Sequence, residues 1–202
     1  MACYVSILYY YLLYFIDQRE RERERERDMA KAKTSTFTIK HEMTVGTSPA
    51  TEAIPIGSLI DVADAQALEI VSVDYVWQPY DTANDLYLAN MDIINGTAGA
   101  TVQLMDKNSA AFISAADNNM ISSANLFVGA SFLYSEGDFY PDDFKGDTGR
   151  FVVNDEMYLI SDLQGTYDSN RTYKVSVLIR AKVVKLSTRD WMAISLETVQ
   201  NE

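Results

Sequence analysis

The 202-residue sequence predicts an all-β fold, namely an antiparallel β-sandwich of about eight strands. The hydrophobic periodicity after the first 28 residues is two rather than 3.6, which is typical of half-buried strands. Turn-forming residues separate these segments at short, regular spacing. Helical patterns of about 12 residues do not alternate with the strands, which argues against a parallel α/β sheet.

The first 28 residues differ from the rest. Residues 3–16 are apolar or aromatic except for Ser6, a run too short for a membrane span of about 20 residues. Strict Arg-Glu alternation follows over residues 19–27, as a GA-repeat read in frame would encode. We interpret residues 1–28 as a non-globular segment from a start codon placed too early, and residues 29–202 as the β-sandwich domain. A short membrane-seeking anchor with a charged stalk is the alternative.

The clearest strand covers residues 173–186. One face of it is apolar: Tyr173, Val175, Val177, Ile179, Ala181 and Val183. Alternation also predicts strands at residues 36–43, 71–78 and 126–134, the second with Val71, Val73, Tyr75 and Trp77 on one face. Weaker candidates are residues 54–62, 86–94, 101–105 and 150–160. Residues 187–190 loosely match a capping box, so a short C-terminal helix or a final strand follows.

Composition narrows the function. The net charge is −12, and the 17 basic and 29 acidic residues leave 12 and 23 after residue 28, a net charge of −11. An acidic surface disfavours broad binding to nucleic acid or to anionic membranes, so we expect no membrane partner. The only cysteine, Cys3, and the only histidine, His41, exclude cysteine-based zinc sites and two-histidine metal sites. We expect no enzyme activity and no catalytic residue.

His41 falls on the inward face of the first predicted strand, with Phe37, Ile39 and Met43. One interpretation is a lone general base. The interpretation that we favour is a histidine at a sheet edge or an interface, because no nucleophile motif accompanies it.

An acidic loop at residues 136–147 offers the only candidate metal ligands. Its oxygens could bind Ca²⁺ at a subunit contact, although the spacing is not that of an EF-hand. The candidate ligands are Asp138, Asp142, Asp143 and Asp147. Solvated loop acids are the simpler interpretation, and a glycosidase-like carboxylate pair is a further alternative. We expect no other cofactor.

Basic and aromatic residues supply the remaining candidates. Lys31, Lys33 and Lys40 form a weakly basic N-terminal arm that could contact nucleic acid. A basic row on the last long strand, or simply a solvated strand face, comprises Lys174, Arg180 and Lys182. Possible exposed aromatic residues for carbohydrate binding are Trp77, Tyr80, Phe139 and Tyr140.

The strand pattern and three phrases resemble capsid proteins of small single-jelly-roll viruses, of the smacovirus type with circular single-stranded DNA. The phrases are VQLMDKN at 102–108, DNNMISS at 117–123 and RAKVVKLSTRDW at 180–191. The resemblance implies a single jelly roll of two four-stranded sheets. It also implies a virion protein that assembles in many copies into a shell around the viral genome.

The sequence departs from that family in two respects. MAKAK stands where an Arg/Lys-rich arm is usual, and the body is too short for a projecting second domain. Two other functions stay open. One is a viral or phage spike, fibre or decoration domain, and the other is a carbohydrate-binding β-sandwich.

Overall fold

The computed structural model describes residues 31–88, 98–128, 150–165 and 170–199. The strands are β1 (Lys31–Ala32), β2 (Phe37–Thr44), β3 (Ala50–Pro55), β4 (Gln66–Asp81), β5 (Leu86–Tyr87), β6 (Ala98–Met105), β7 (Met120–Val128), β8 (Arg150–Val152), β9 (Glu156–Gly165) and β10 (Arg171–Lys185). A 3₁₀ turn spans Val62–Asp64, and the helix α1 spans Thr188–Val199. The predicted segment at residues 1–28 lies outside the described residues.

Two antiparallel sheets form a sandwich. The first sheet, sheet A, has the order β2-β10-β4-β8, with β1 also paired to β10 and β5 to β4. The second sheet, sheet B, has the order β3-β9-β6-β7. The predicted all-β sandwich is therefore confirmed.

The pairing of the eight described strands that have three or more residues is nested. The first of these strands pairs with the eighth (β2 with β10), the second with the seventh (β3 with β9), the third with the sixth (β4 with β8), and the fourth with the fifth (β6 with β7). Every pair is antiparallel, and the pairs fall alternately in the two sheets. This strand order is that of a single jelly roll.

The core lies between the sheets and follows the predicted alternation. All six apolar residues that share a face of β10 are at most 4% exposed, and they pack against residues such as Leu104 and Leu159 of sheet B. Burying an aliphatic side chain of this size stabilises a fold by about 1.5–3 kcal/mol. The period-two pattern therefore identified the main source of stability.

Several strand predictions needed correction. Val71 was predicted to face inward, but it is the extra residue of a β-bulge opposite Arg180 and Ala181, which resets the alternation. The strand predicted at residues 54–62 is instead β3, which ends at Pro55, where a turn follows. The segment 150–160 divides into β8 and β9. Strand β7 begins at Met120, earlier than predicted, and the predicted residues 129–134 lie outside the described part.

The C-terminal segment is a helix. The hydroxyl of Ser187 accepts a hydrogen bond from the Asp190 amide at 3.2 Å and donates one to the Asp190 carboxylate at 2.6 Å. The indole of Trp191 donates to the Gln66 carbonyl at 3.2 Å and attaches α1 to β4. The two hydrogen bonds between Ser187 and Asp190 cap the start of this helix. Of the two alternatives for the C-terminal segment, a helix or a final strand, the helix was therefore correct. No helix in the described part is long and apolar enough to cross a membrane.

Candidate functional site

A polar and aromatic cluster lies on the outer face of sheet A, at the end where β4 turns into β5. We call it the Lys174 cluster, and it comprises Glu42, Tyr80, Asp85, Tyr87 and Lys174. The Asp81 carboxylate accepts the amides of Ala83 at 2.8 Å and Asn84 at 3.1 Å, which tightens the turn. Asp85 has a left-handed φ of 55°. This turn returns the chain so that Tyr87 pairs with Tyr80.

Lys174 is at the centre of the cluster. Its Nζ lies 3.0 Å from Glu42 Oε1, 4.2 Å from the centroid of the Tyr80 ring and 5.2 Å from that of Tyr87. Tyr87 donates its hydroxyl to Glu42 Oε2 at 2.7 Å, and Tyr80 donates to Asp85. The two rings meet edge to face at 5.5 Å. Four strands are thus connected through side chains, and cation–π contacts add to the ion pair.

The cluster adjusts the ionisation of its members. Burial raises the pKa of Glu42, but hydrogen bonds from Tyr87 and Lys174 outweigh it and leave that pKa below its usual value. The hydrogen bond to Glu42 raises the pKa of Lys174 and likewise that of Tyr87. Both tyrosines stay protonated and Lys174 stays charged at neutral pH. The arrangement therefore suits molecular contact better than proton transfer.

A second polar network connects the two sheets at the β6–β7 loop. The carboxylate of Asp106, which is 4% exposed, lies 2.7 Å from Arg150 Nη2 on β8. Arg150 also donates to the Asn118 carbonyl, and Asn154 donates to the Asp106 carbonyl at 2.7 Å. Burial raises the pKa of Asp106, against the opposing attraction of Arg150. The network fixes the ends of the loop to both sheets.

The three lysines of the predicted basic arm do not form one site. Lys31, on β1, is exposed. Lys33 Nζ lies 3.4 Å from Asp64, which also binds Lys185, and the Lys33 amide donates to the Val183 carbonyl. Lys40 lies opposite Leu178, five residues along β10 from Val183, or about 16 Å away.

The predicted basic row is mostly neutralised. Lys174 pairs with Glu42, and Lys182 lies 2.9 Å from Glu69. Arg180 is exposed and makes no ion pair within the described residues. The carboxylate partners come from neighbouring strands, so the alternation of β10 alone did not reveal them.

His41 joins the two sheets at their edge. Its Nε2 lies 2.9 Å from Glu52 Oε2, so that it connects β2 of sheet A with β3 of sheet B. The imidazole is 25% exposed and the carboxylate 45%. This placement corresponds to the sheet-edge interpretation rather than to a general base beside a nucleophile.

Of the candidate aromatic and calcium-binding residues, only some lie in the described part of the chain. Trp77 packs edge to face on Tyr173 at 6.4 Å and belongs to the core margin, so its predicted exposure was wrong. The candidate calcium ligands Asp138, Asp142, Asp143 and Asp147 lie outside the described residues, as do Phe139 and Tyr140. Within the described ranges, no three His, Cys, Asp or Glu side chains are grouped as metal ligands.

Comparisons with known proteins find fold neighbours only. No protein-family model matches this chain, and a search of curated proteins finds no relative. Similar solved structures include the Desmodium yellow mottle tymovirus, at 11% identity and a TM-score of 0.31, covering 75% of this chain and 81% of the other. Another is the unassembled KI polyomavirus VP1 pentamer, at 8% identity and a TM-score of 0.41, covering 79% of this chain and 100% of the other.

Turnip yellow mosaic virus is similar at 14% identity and a TM-score of 0.35, covering 75% of this chain and 95% of the other. At such identities and TM-scores, the jelly-roll assignment rests on the strand order of this chain. The smacovirus type stays a prediction.

Proposed function

We propose that this chain is a viral capsid protein that assembles with copies of itself into a closed shell. The observation that carries the proposal is the nested pairing of eight strands in two sheets, β2-β10-β4-β8 and β3-β9-β6-β7. Capsid subunits are one of the main uses of this jelly roll, together with lectins and cupins.

Because a fold does not fix a function, the side chains must support the choice. The Lys174 cluster offers charged and aromatic contact groups whose ionisation is stable at neutral pH. The chain has a single histidine, which is too few for a metal site built on two histidines. The phrases at residues 102–108, 117–123 and 180–191 resemble capsid proteins and point in the same direction.

A carbohydrate-binding sandwich is the second candidate, because one observation favours it. Tyr87 is 50% exposed beside Tyr80, and its neighbours Glu42 and Lys174 could hydrogen-bond a sugar. Such a module would act as a monomer or small oligomer. A spike or fibre domain would instead form elongated assemblies.

In the proposed shell, contact with the genome is weak. The arm contains few lysines, and Lys33 is already paired with Asp64. We therefore expect packaging that depends strongly on salt, and empty shells that form readily. The residues after residue 28 carry a net charge of −11, so copies of the chain repel each other. Added salt should therefore promote assembly by screening that repulsion.

Light scattering of the full chain across salt concentration, followed by negative-stain microscopy, tests the proposal. The expected result is closed particles of uniform diameter. Their number should increase as the salt concentration rises from about 0.01 to 0.5 M, where the screening length falls below 10 Å. Fibres would indicate the spike class. A protein that stays monomeric while binding a glycan array would establish the carbohydrate-binding alternative.

A further inference from the structure

The outer face of sheet A has the composition of a contact between two copies of this chain, an inference that rests on the proposed self-assembly. We call this surface face A. It is formed by the outward residues of three adjacent strands: Thr38, Lys40 and Glu42 on β2; Ser176, Leu178 and Arg180 on β10; and Ser72, Asp74 and Val76 on β4.

Face A carries charges that have no ion pair within the described residues. Lys33, Lys174, Lys182, Lys185 and Arg150 all have carboxylate partners. Lys40 and Arg180 are exposed and have no ion pair in the described ranges, and the same is true of the carboxylate of Asp74. Charges of both signs that lack an ion pair in the described part of the chain therefore occur on one face of an acidic protein.

An apolar pair lies between those charges. Val76 is 44% exposed although it lies in a central strand, and Leu178 is half-buried on the neighbouring strand. Because Ser176 is opposite Val76 and Leu178 is opposite Asp74, the two apolar residues are diagonal neighbours about 7–8 Å apart. Apolar side chains between charged ones resemble the core and rim of an interface.

The strand register makes the middle row of the face self-complementary. Lys40, Leu178 and Asp74 lie in one row across β2, β10 and β4. The two charges are two strand spacings apart, about 10 Å. A two-fold axis along β10 would set Lys40 of one copy on Asp74 of the other, and the reverse, with Leu178 on Leu178. This reciprocity is what an isologous contact requires.

We propose that face A binds face A of a second copy about such an axis. Each Arg180 lies one row from Leu178, close to the axis, and the two Asp74 carboxylates offset the repulsion between the guanidinium groups. A nucleic acid is a poorer occupant, because Glu42 and Asp74 would face its phosphates.

The size of the contact indicates how it acts. Three strands over the three rows from Arg180 to Ser176 cover about 14 by 20 Å, or roughly 300 Å² per copy. Stable pairs usually bury about 800 Å² per partner, so this contact alone is weak. In a closed particle, other contacts hold each subunit in place and bring the two copies of face A together. The resulting high effective concentration allows a weak contact to form.

A charge-swap experiment tests the proposal. Full-length Asp74→Lys and Lys40→Glu are assembled separately and as an equal mixture, and assembly is followed by light scattering. Each variant alone sets like charges against each other, and we expect an assembly constant at least tenfold lower. In the mixture, the unchanged Lys40 of one variant meets the unchanged Asp74 of the other. The two introduced side chains, which have opposite charges, also meet, so assembly should return to within threefold of wild type.

The control is Asp155→Lys, an exposed acid between β8 and β9. Both lysine substitutions at aspartates reduce the net negative charge by the same two units, so a general electrostatic effect would strengthen both assemblies. Only the proposed contact predicts a loss for Asp74→Lys together with no loss for Asp155→Lys. Circular dichroism confirms that each variant is folded.

The outcomes separate the two proposals. If wild type forms particles and both single variants assemble equally well, face A is not a contact, while the shell function stands. If assembly is unchanged but Lys40→Glu releases bound nucleic acid, the occupant is nucleic acid and the proposed contact is refuted. If wild type forms no particles under any condition, the shell function fails first.

Discussion

Replacing Arg150 tests the buried network at the β6–β7 loop, because the cost should depend on pH. Arg150→Met keeps the aliphatic part of the side chain but leaves the carboxylate of Asp106, 4% exposed, without its cation. Removing one partner of a buried ion pair typically costs about 3–5 kcal/mol. Since the Arg150 side chain is 31% exposed, water replaces part of the lost interaction, and we expect about 3 kcal/mol at pH 7.

At acidic pH, Arg150→Met should lower the free energy of unfolding by less than it does at pH 7. Burial places the folded pKa of Asp106 above its unfolded value, so the stability that this group contributes is fully present below the unfolded pKa and is lost as pH rises through the folded pKa. Without Arg150 that pKa rises further, which favours the protonated carboxyl as the pH falls. For the protonated form, the remaining cost is that of ordinary hydrogen bonds, about 1 kcal/mol.

Urea unfolding of the unassembled chain at pH 7 and pH 4 measures the difference, with Asp106→Asn as the matched control. Because the amide keeps the shape and an acceptor for Arg150, we expect a change below about 1 kcal/mol. An equal loss for Arg150→Met at both pH values would refute the reasoning, as would an Asn variant that loses as much as the Met variant.

Three further outcomes are expected. Ile179→Ala in the core should lower the free energy of unfolding, measured in urea, by about 2–5 kcal/mol. Ser176→Ala on the outer face of the same strand should lower it by less than about 0.5 kcal/mol. His41→Gln should cost less than about 1 kcal/mol at pH 7, since the pair with Glu52 is partly exposed. If the loop at residues 136–147 binds calcium between subunits, a chelator should loosen the particles. Replacing both Asp142→Asn and Asp143→Asn should have the same effect. Particles that stay intact in chelator would contradict this prediction.

The strands that the sequence predicted well are those with one buried face. Strand β10 alternates from Tyr173 to Val183 because sheet B covers one side of it, and period two is a direct consequence. Strand β3 was displaced in the prediction because it is an edge strand whose Glu52 and Ala53 are both exposed, which leaves little apolar signal. The bulge at Val71 was not predictable from alternation, because a valine fits either face.

The site residues were harder to predict because they depend on contacts between distant positions. Asp106 and Arg150 are 44 residues apart and meet only when β8 packs beside the β6–β7 loop. Glu42 and Lys174 are 132 residues apart and become neighbours through the pairing of the first long strand with the last. Tyr87 had a local signal, since the turn-forming residues 79–84 precede it in the sequence, but a turn alone does not show which ring it meets.

Sedimentation velocity of the full-length protein, at salt concentrations that promote assembly, decides whether the chain forms closed shells. A jelly-roll capsid protein should give one sharp, fast species of many copies beside the free subunit, with no sizes between them, because a closed shell ends its own growth. A distribution that broadens and shifts continuously with concentration would indicate open-ended fibres. A single slow species of one or two copies at every salt concentration would contradict the account.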